Sequence, residues 1–415
     1  MAQRLRVGSV EWTCPFCSLL CDGFALASRE GALVLDGSDC PRARAGLVAH
    51  QSRGQPEAFV DGAVASLEAG LAEAARRLAQ WRQPLFGGLG TDLAGVRALF
   101  RLALRTGAIC DHADGEALAA GLRALQDRGQ FHTTLAEIRA RADLLVCVGT
   151  DAVTHYPEFF RRCGLDRDDT PCRRLVFLGA EPPTQLPAHM ETPRIAGSGD
   201  LLADLQQLAT LVGAATCRHA DQELAGLAQA LRAARYAVLV WEAAALPRQG
   251  ALAVEMLHRI VMLLNRETRA ASFALGGSDG AATAQQAFTW LSGLPLRTRL
   301  QAADPEHDPV RFAGERLLAD GAVDGLLWTW SWTPERLPSV ADLPRVVLGP
   351  PGMGPRLRQA GAARDCVFLP VATPGLNAAG HLFRTDGTVV PLVAARDDAL
   401  PGVDRVAASL LEALP

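Results

Sequence analysis

Ala142-Asp-Leu-Leu-Val-Cys-Val-Gly149, followed by Thr150-Asp151, is the stretch that decides the fold. Five consecutive apolar residues end in glycine, too few for a helix turn to matter and without the alternation of a half-exposed strand. Such a run is a strand buried on both faces, the kind that parallel sheets use. The signature recurs at Pro84-Leu-Phe-Gly-Gly-Leu-Gly90, Arg173 to Gly179, Tyr236 to Glu242, Asp324 to Trp330, Pro344 to Gly349 and Asp365 to Pro370. Helix-period segments lie between them, over about 64–81, 94–106, 200–212 and 223–234. Buried strands alternating with helices predict doubly wound α/β layers. Two sets of strands predict two such layers, behind a short cysteine-rich segment.

The chain has 415 residues, of which 49% are apolar, enough for more than one core. The net charge is only -4 and no basic run occurs, which excludes a phosphate-tracking nucleic-acid groove. All 41 basic residues are arginine, so lysine Schiff-base and lysine general-base chemistry are excluded. The opening residues show no secretory pattern, and no apolar run reaches the roughly 18 residues needed to cross a bilayer. The expectation is a cytoplasmic protein with no membrane or nucleic-acid partner. Ten cysteines there suit metal ligation or burial better than disulfides.

Four of them form a constellation. Cys14-Pro-Phe-Cys17-Ser-Leu-Leu-Cys21 sets three thiols in one turn, and Cys40-Pro41 follows from a later loop. A C-x2-C-x3-C run with a distant fourth cysteine is a [4Fe–4S] spacing. Zinc more often takes two separated C-x2-C pairs. Three readings stay open for Cys14, Cys17, Cys21 and Cys40: an iron–sulfur cluster, zinc, or an empty site of buried thiols. Between them, the Gly23 to Gly37 stretch reads as a hairpin bending at Gly31, and Gln51 to Gln55 as a polar linker. Cys147 and Cys366 lie in buried strands, and the other four cysteines have no partner at ligand spacing.

Other residues are weighed more briefly. His112, between Asp111 and Asp114, reads as part of a solvated turn. Trp328, Trp330 and Trp332 share one face if the strand continues, which suits core packing, a cleft or a subunit interface. No Gly-x-Ser-x-Gly, HExxH or P-loop pattern is present, so no hydrolytic machinery is legible.

The segments Cys14–Asp22, Asp39–Leu47, Pro84–Gly95, Thr134–Arg162 and Leu369–Leu392, in that order and spacing, resemble the B subunit of formylmethanofuran dehydrogenase, a molybdopterin oxidoreductase. The resemblance implies a molybdopterin-oxidoreductase-like α/β fold without the C-terminal barrel. It divides the chain into a cysteine-rich domain over 1–52, a discontinuous α/β domain over 53–130 and 268–415, and an inserted Rossmann-like domain over 131–267. In that family a Cys or selenocysteine after the first long strand holds the tungsten or molybdenum of a bis-pterin. The matching loop here, Gly87 to Gly95, has no cysteine, and neither Thr91 nor Asp92 offers the soft donor such a metal takes. A Mo/W-bis-pterin is therefore expected to be absent. Gly149-Thr150-Asp151 and Gly276 to Gly280 sit where pterin loops would, although any doubly wound sheet has such loops. His155 lies in the polar loop that the family places there and reads either as facing that cleft or as an ordinary loop residue, and Gly380, Arg384 and Asp386 match a family pattern whose Arg–Asp pair reads equally as a fold brace or a ligand contact. The missing thiol matches the non-redox branch, the formyltransferase/hydrolase complex. The chain is expected to be a non-catalytic structural subunit of it, partnered by the other subunits. A catalytic dehydrogenase subunit and an Fe–S electron-transfer module are the alternatives. With no redox centre to serve, a cluster at the four cysteines would only pin the N-terminal segment.

Overall fold

The computed structural model describes residues 9–29, 32–51, 56–215, 217, 219–247, 249–301, 304–339, 342–396 and 398–415. The hairpin bend at Gly31 and residues 52–55 of the polar linker lie outside them. The chain forms two compact units, one of residues 1–115, 277–384 and 388–415, the other of residues 116–276 and 385–387.

The first unit holds a three-stranded antiparallel sheet, Ser9–Trp12, Phe24–Arg29 and Ala32–Asp36, and a nine-stranded sheet. Five strands at the centre of the large sheet are parallel, in the spatial order Ile109–Cys110, Pro84–Gly90, Gly325–Trp330, Arg345–Gly349 and Cys366–Pro370. The long runs read from sequence are these buried strands. Antiparallel pairs border them: Thr298–Arg299 with Glu306–His307 on one side, and Ala58–Val60 with Ala63–Ala65 on the other. The last pair corrects the sequence reading, which ran a helix back to Val64. Asp61 and Gly62 both take positive φ, the geometry of a two-residue hairpin turn, so Val64 pairs with Phe59. The helix starts only at Leu67, where Ser66 accepts the Ala69 N–H.

The second unit is a five-stranded parallel sheet in the order Arg194–Ile195, Arg174–Leu178, Leu144–Val148, Tyr236–Glu242 and Arg269–Leu275. Leu201–Val212, Gln222–Ala233 and Gly250–Leu264 pack on it, their apolar faces sharing one core with Val146, Leu239 and Trp241. Asp200 and Asp221 cap the first two of these helices through N–H groups of the first turn.

One buried charge pins the first unit. Arg345 is 1% exposed at the start of its strand, and its guanidinium donates to the carbonyls of Ala362, Arg364 and Leu343. Three carbonyls thus replace the water that the cation gives up. Arg345→Ala should cost about 3 kcal/mol by leaving those carbonyls unpaired beside a cavity. A urea midpoint unchanged from wild type would contradict this.

Candidate functional site

In open α/β sheets the ligand crevice lies at the carboxyl ends of the two strands between which the order reverses. In the first unit these are Pro84–Gly90 and Gly325–Trp330, because the chain winds from the former to Ile109–Cys110 on one side and resumes with Gly325–Trp330 on the other. Protein fills this place. A Cβ on Gly90 would lie 2.5 Å from the Trp330 ring, one on Gly88 2.6 Å from the Thr329 carbonyl, and one on Gly87 3.1 Å from Leu326. The glycines let the indole strand approach. Trp328 and Trp330 stack with centroids 6.4 Å apart, and the Arg336 guanidinium lies 4.7 Å over the Trp330 ring. The strand ends at Trp330, so Trp332 leaves the alternation expected for it. It is fully buried, and its carbonyl accepts from His50 Nε2.

The loop after Gly90 is committed as well. Asp92 caps Leu93–Thr106, accepting the Gly95 N–H at 3.0 Å, and is only 6% exposed. A Cβ on Gly280 would fall 2.5 Å from the Thr91 carbonyl, so the Gly277 to Gly280 turn closes onto this loop. Thr91 Oγ1, Thr329 Oγ1, Ser331 Oγ and Trp332 Nε1 are buried without a hydrogen-bond partner among the described residues. Polar atoms thus persist in a crevice that is otherwise packed. This arrangement does not fit a bis-pterin metal centre: the loop has no thiolate, its carboxylate is a helix cap, and indoles cover its glycines.

The cysteine turn abuts the same place. Cys14 N–H donates to the Cys21 carbonyl at 3.0 Å, and Leu20 N–H to the Cys17 carbonyl at 3.1 Å. Cys40 precedes the Pro41–Ala49 helix, which packs so tightly on Phe16 that a Cβ at Gly46 would meet its ring at 2.4 Å. Arg42 Nε donates to the Phe16 carbonyl, and Ser18 N–H to Ser278 Oγ. All four thiols are buried. Burial pushes Cys14 well up, and the neighbouring Cys17, Cys21 and Cys40 push the same way. Burial likewise raises Cys17 to about 11, although Arg42 opposes it. The structure therefore brings together the four cysteines that the sequence singles out. Among the described residues, however, no three His, Cys, Asp or Glu side chains are arranged to hold a metal ion. The donor set suits an iron–sulfur cluster or zinc in kind.

Of two charged residues at the crevice, sequence reading placed one, Asp279, only as part of a glycine loop and did not reach the other, Arg336. Asp279, in the Gly276 to Gly280 loop, is pushed up to about 6 by burial, with Arg42 at 4.0 Å partly opposing. Arg336 donates to the Asp114 carboxylate at 2.6 Å. The solvated turn expected at His112 is wrong. Its side chain is fully buried, Nδ1 accepts the Asp114 N–H, Nε2 faces the Asp279 carbonyl at 3.4 Å, and burial lowers its pKa to about 4. Strand geometry explains the error, since the Ala113 N–H bonds back to the Gly88 carbonyl and draws the turn inward.

The second unit reverses its order between Leu144–Val148 and Tyr236–Glu242. There the buried Glu242 carboxylate accepts from Thr150 Oγ1 at 3.2 Å and meets His155 Nδ1 at 2.8 Å. Asp151 is turned onto the N–H groups of Val153 and Thr154. His155 thus has a fixed orientation, and its partner Glu242 read from sequence only as a strand end. Asp386 accepts the Leu135 N–H at 3.1 Å, and Arg384 donates to Thr388 Oγ1.

These features define a doubly wound α/β scaffold whose first switch point is filled by packing. No family model matches the chain. It is 29% identical over 365 residues to the B subunit of the formyltransferase/hydrolase complex Fhc of Methylorubrum extorquens, covering 85% of this chain and 96% of that one. It is 24% and 23% identical to the B subunits of the tungsten-containing formylmethanofuran dehydrogenase 2 of Methanocaldococcus jannaschii and Methanococcus maripaludis, covering 91% of this chain and 92% of each. A crystal structure of the FhcABCD complex from Methylorubrum extorquens with methylofuran contains a chain that superposes with a TM-score of 0.72 at 28% identity, over 86% of this chain and 98% of that one. The chain is thus similar to the B subunits of both kinds of complex. Its likeness to the B subunit of the formyltransferase/hydrolase complex exceeds that to the two tungsten enzymes.

Packing predicts opposite outcomes for two substitutions at the crevice. Gly90→Ala should cost about 2 kcal/mol by driving a methyl into Trp330, whereas Thr329→Val should gain about 1 kcal/mol by removing an unpaired buried hydroxyl. Chemical denaturation of the purified chain reads both. Protonation gives a third prediction. His112, lowered in the fold, makes stability rise with pH between about 4 and 6.5. Asp279, raised in the fold, makes it fall between about 4 and 6. The two slopes oppose each other in the wild type. Asp279→Asn removes the falling one, so its melting temperature should climb more steeply from pH 4 to 6 than the wild type's. Parallel profiles would contradict the assignment.

Proposed function

We propose that this chain is the B-type structural subunit of a formyltransferase/hydrolase complex and has no activity of its own. In such a complex, formyl passes from formyl-tetrahydromethanopterin to a methanofuran-like carrier, and other subunits hydrolyse it to formate. The observation that carries this reading is the likeness to the Fhc B subunit over 96% of that chain's length. The packed switch point of the first unit supports it. A crevice closed by Trp328 and Trp330 over Gly87, Gly88 and Gly90 is suited to holding a scaffold rigid and poorly suited to admitting a large cofactor. No helix among the described residues is long and apolar enough to cross a membrane, and we place the complex in the cytoplasm.

The test is purification of the tagged chain from its own host. The expected result is recovery with the other subunits, formate release from the formyl carrier, and no stoichiometric tungsten or molybdenum. Stoichiometric tungsten or molybdenum, with carrier-dependent reduction of a viologen dye, would favour the dehydrogenase reading instead. Iron and zinc analysis of the same material decides the four-cysteine site. We propose that these thiols act by packing, so Cys17→Ala should lower stability by about 1 kcal/mol and leave formate release unchanged. A stoichiometric, reducible iron–sulfur cluster would overturn that assignment and favour an electron-transfer role.

A further inference from the structure

A cavity of about 190 Å³ lies in the first unit, at loops that follow three strands of its large sheet. Pro334 comes after Gly325–Trp330, Pro350 and Pro351 directly after Arg345–Gly349, and Asn377 after Cys366–Pro370. The carboxyl ends of parallel strands are where open α/β sheets bind ligands. The volume exceeds the ~150 Å³ that holds benzene in a protein interior. Its apolar wall is stiff, because Pro56, Pro334, Pro350 and Pro351 form most of it together with Leu400, and each proline fixes its own backbone.

Two opposite charges stand in that wall. Arg396 and Asp398 are 19% and 23% exposed, and Arg396 Nε donates to Asp398 Oδ2 at 2.5 Å. The buried Asn377 donates to the same oxygen at 3.1 Å and accepts the Thr373 N–H, so an amide fixes the carboxylate. Arg396 Nη1 and Nη2 reach only the His50 carbonyl, each at 3.4 Å. One N–H on each Nη, and Asp398 Oδ1, are therefore without a partner among the described residues. Ala399 takes a φ of +54° and turns the chain between Asp398 and Leu400, so that both line the cavity.

We propose that this cavity binds a free α-amino acid with an apolar side chain. The paired Nη atoms of an arginine take a carboxylate in two parallel hydrogen bonds. Asp398 Oδ1 accepts from the ammonium, and the prolines and Leu400 enclose the side chain. A ligand with a single charge satisfies one member of the Arg396–Asp398 pair and leaves the other without a counter-charge. An uncharged ring amide matches the donors and acceptor, but forms weaker bonds than a zwitterion does. The site lies within this chain alone, so it stands independently of the complex reading.

Calorimetric titration of the purified full chain, with any subunits that accompany it, tests this. L-Leucine, L-methionine and L-phenylalanine are the ligands, and at least one should bind saturably to the wild type. For L-leucine, the comparison is with leucinamide, which lacks the carboxylate, and 4-methylpentanoate, which lacks the ammonium. Each analogue should bind roughly tenfold or more weakly, the worth of one charge-assisted hydrogen bond. Asp398→Asn should weaken amino-acid binding by a similar factor, and Leu400→Trp should abolish it by filling the cavity. Melting of both variants separates a lost site from a lost fold, and the ligand series on the wild type decides the matter without either. No saturable binding of any of the three amino acids overturns the proposal. So do equal affinities for L-leucine and its two analogues, undiminished binding in a folded Leu400→Trp chain, or binding of uracil in place of the amino acids.

Discussion

The close approach of Trp330 to Gly90 is the contact on which the first unit is organised. Parallel strands keep about 4.8 Å between backbones, and an indole standing beside its neighbour strand fits only if that strand has no side chain there. Three glycines in Gly87 to Gly90 meet that demand, with Gly88 also taking a positive φ that a larger residue resists. The register shift between Trp328 and Trp330 follows from the same crowding. Once the indoles are placed, Arg336 stacks on one, His50 bonds to the carbonyl of the next tryptophan, and the loop that bears Asp92 is left with a capping role.

That packing changes what the surrounding charges can do. Asp279, Asp114, Arg336, Arg42 and His112 form a cluster in which His112 is fully buried, Asp279 mostly so and the other three partly so, and burial works against the charged state of both Asp279 and His112. In an open crevice such groups would be available to a ligand. Here each is turned onto a backbone group, a partner charge or a ring, and the pH slopes of Asp279 and His112 oppose each other. The cysteine turn is anchored to this same cluster by protein contacts, through Arg42 and Ser278.

Much of this architecture was legible because fully buried parallel strands leave continuous apolar runs. Pro84–Gly90, Leu144–Val148, Tyr236–Glu242 and Cys366–Pro370 announce themselves in that way. Arg269–Leu275 does not: its Ala270, Ala271 and Ser272 carry little strand preference, and only pairing with Tyr236–Glu242 makes it one. The short bordering strands were illegible for a related reason, since so few residues hold no period. At the site, the four cysteines were visible as spacing, whereas Asp279, Arg336 and Glu242 were not. Their meaning lies in burial and in partners far away along the chain, Arg42, Asp114 and His155. The Gly-Gly-Ser-Asp-Gly string gave a local cue for Asp279 alone.

The two switch points illustrate how one architecture can retain or surrender a cleft. Both occur between the first strand of a layer and the strand that resumes on its other side, where helices diverge and a gap is unavoidable. In the first unit large side chains were brought into the gap, and glycines on the facing strand accepted them. The cost of that solution is visible in the unpaired hydroxyls of Thr91, Thr329 and Ser331, polar atoms on strand ends whose neighbours are now rings. In the second unit the gap is bordered instead by a buried carboxylate, Glu242, that fixes a histidine and a threonine. A scaffold needs rigidity more than a vacant crevice, and aromatic packing against glycine supplies it without a bound group. The same preference for packing over charge continues outward to Trp290, where one ring rests on Phe383 and its free face meets water.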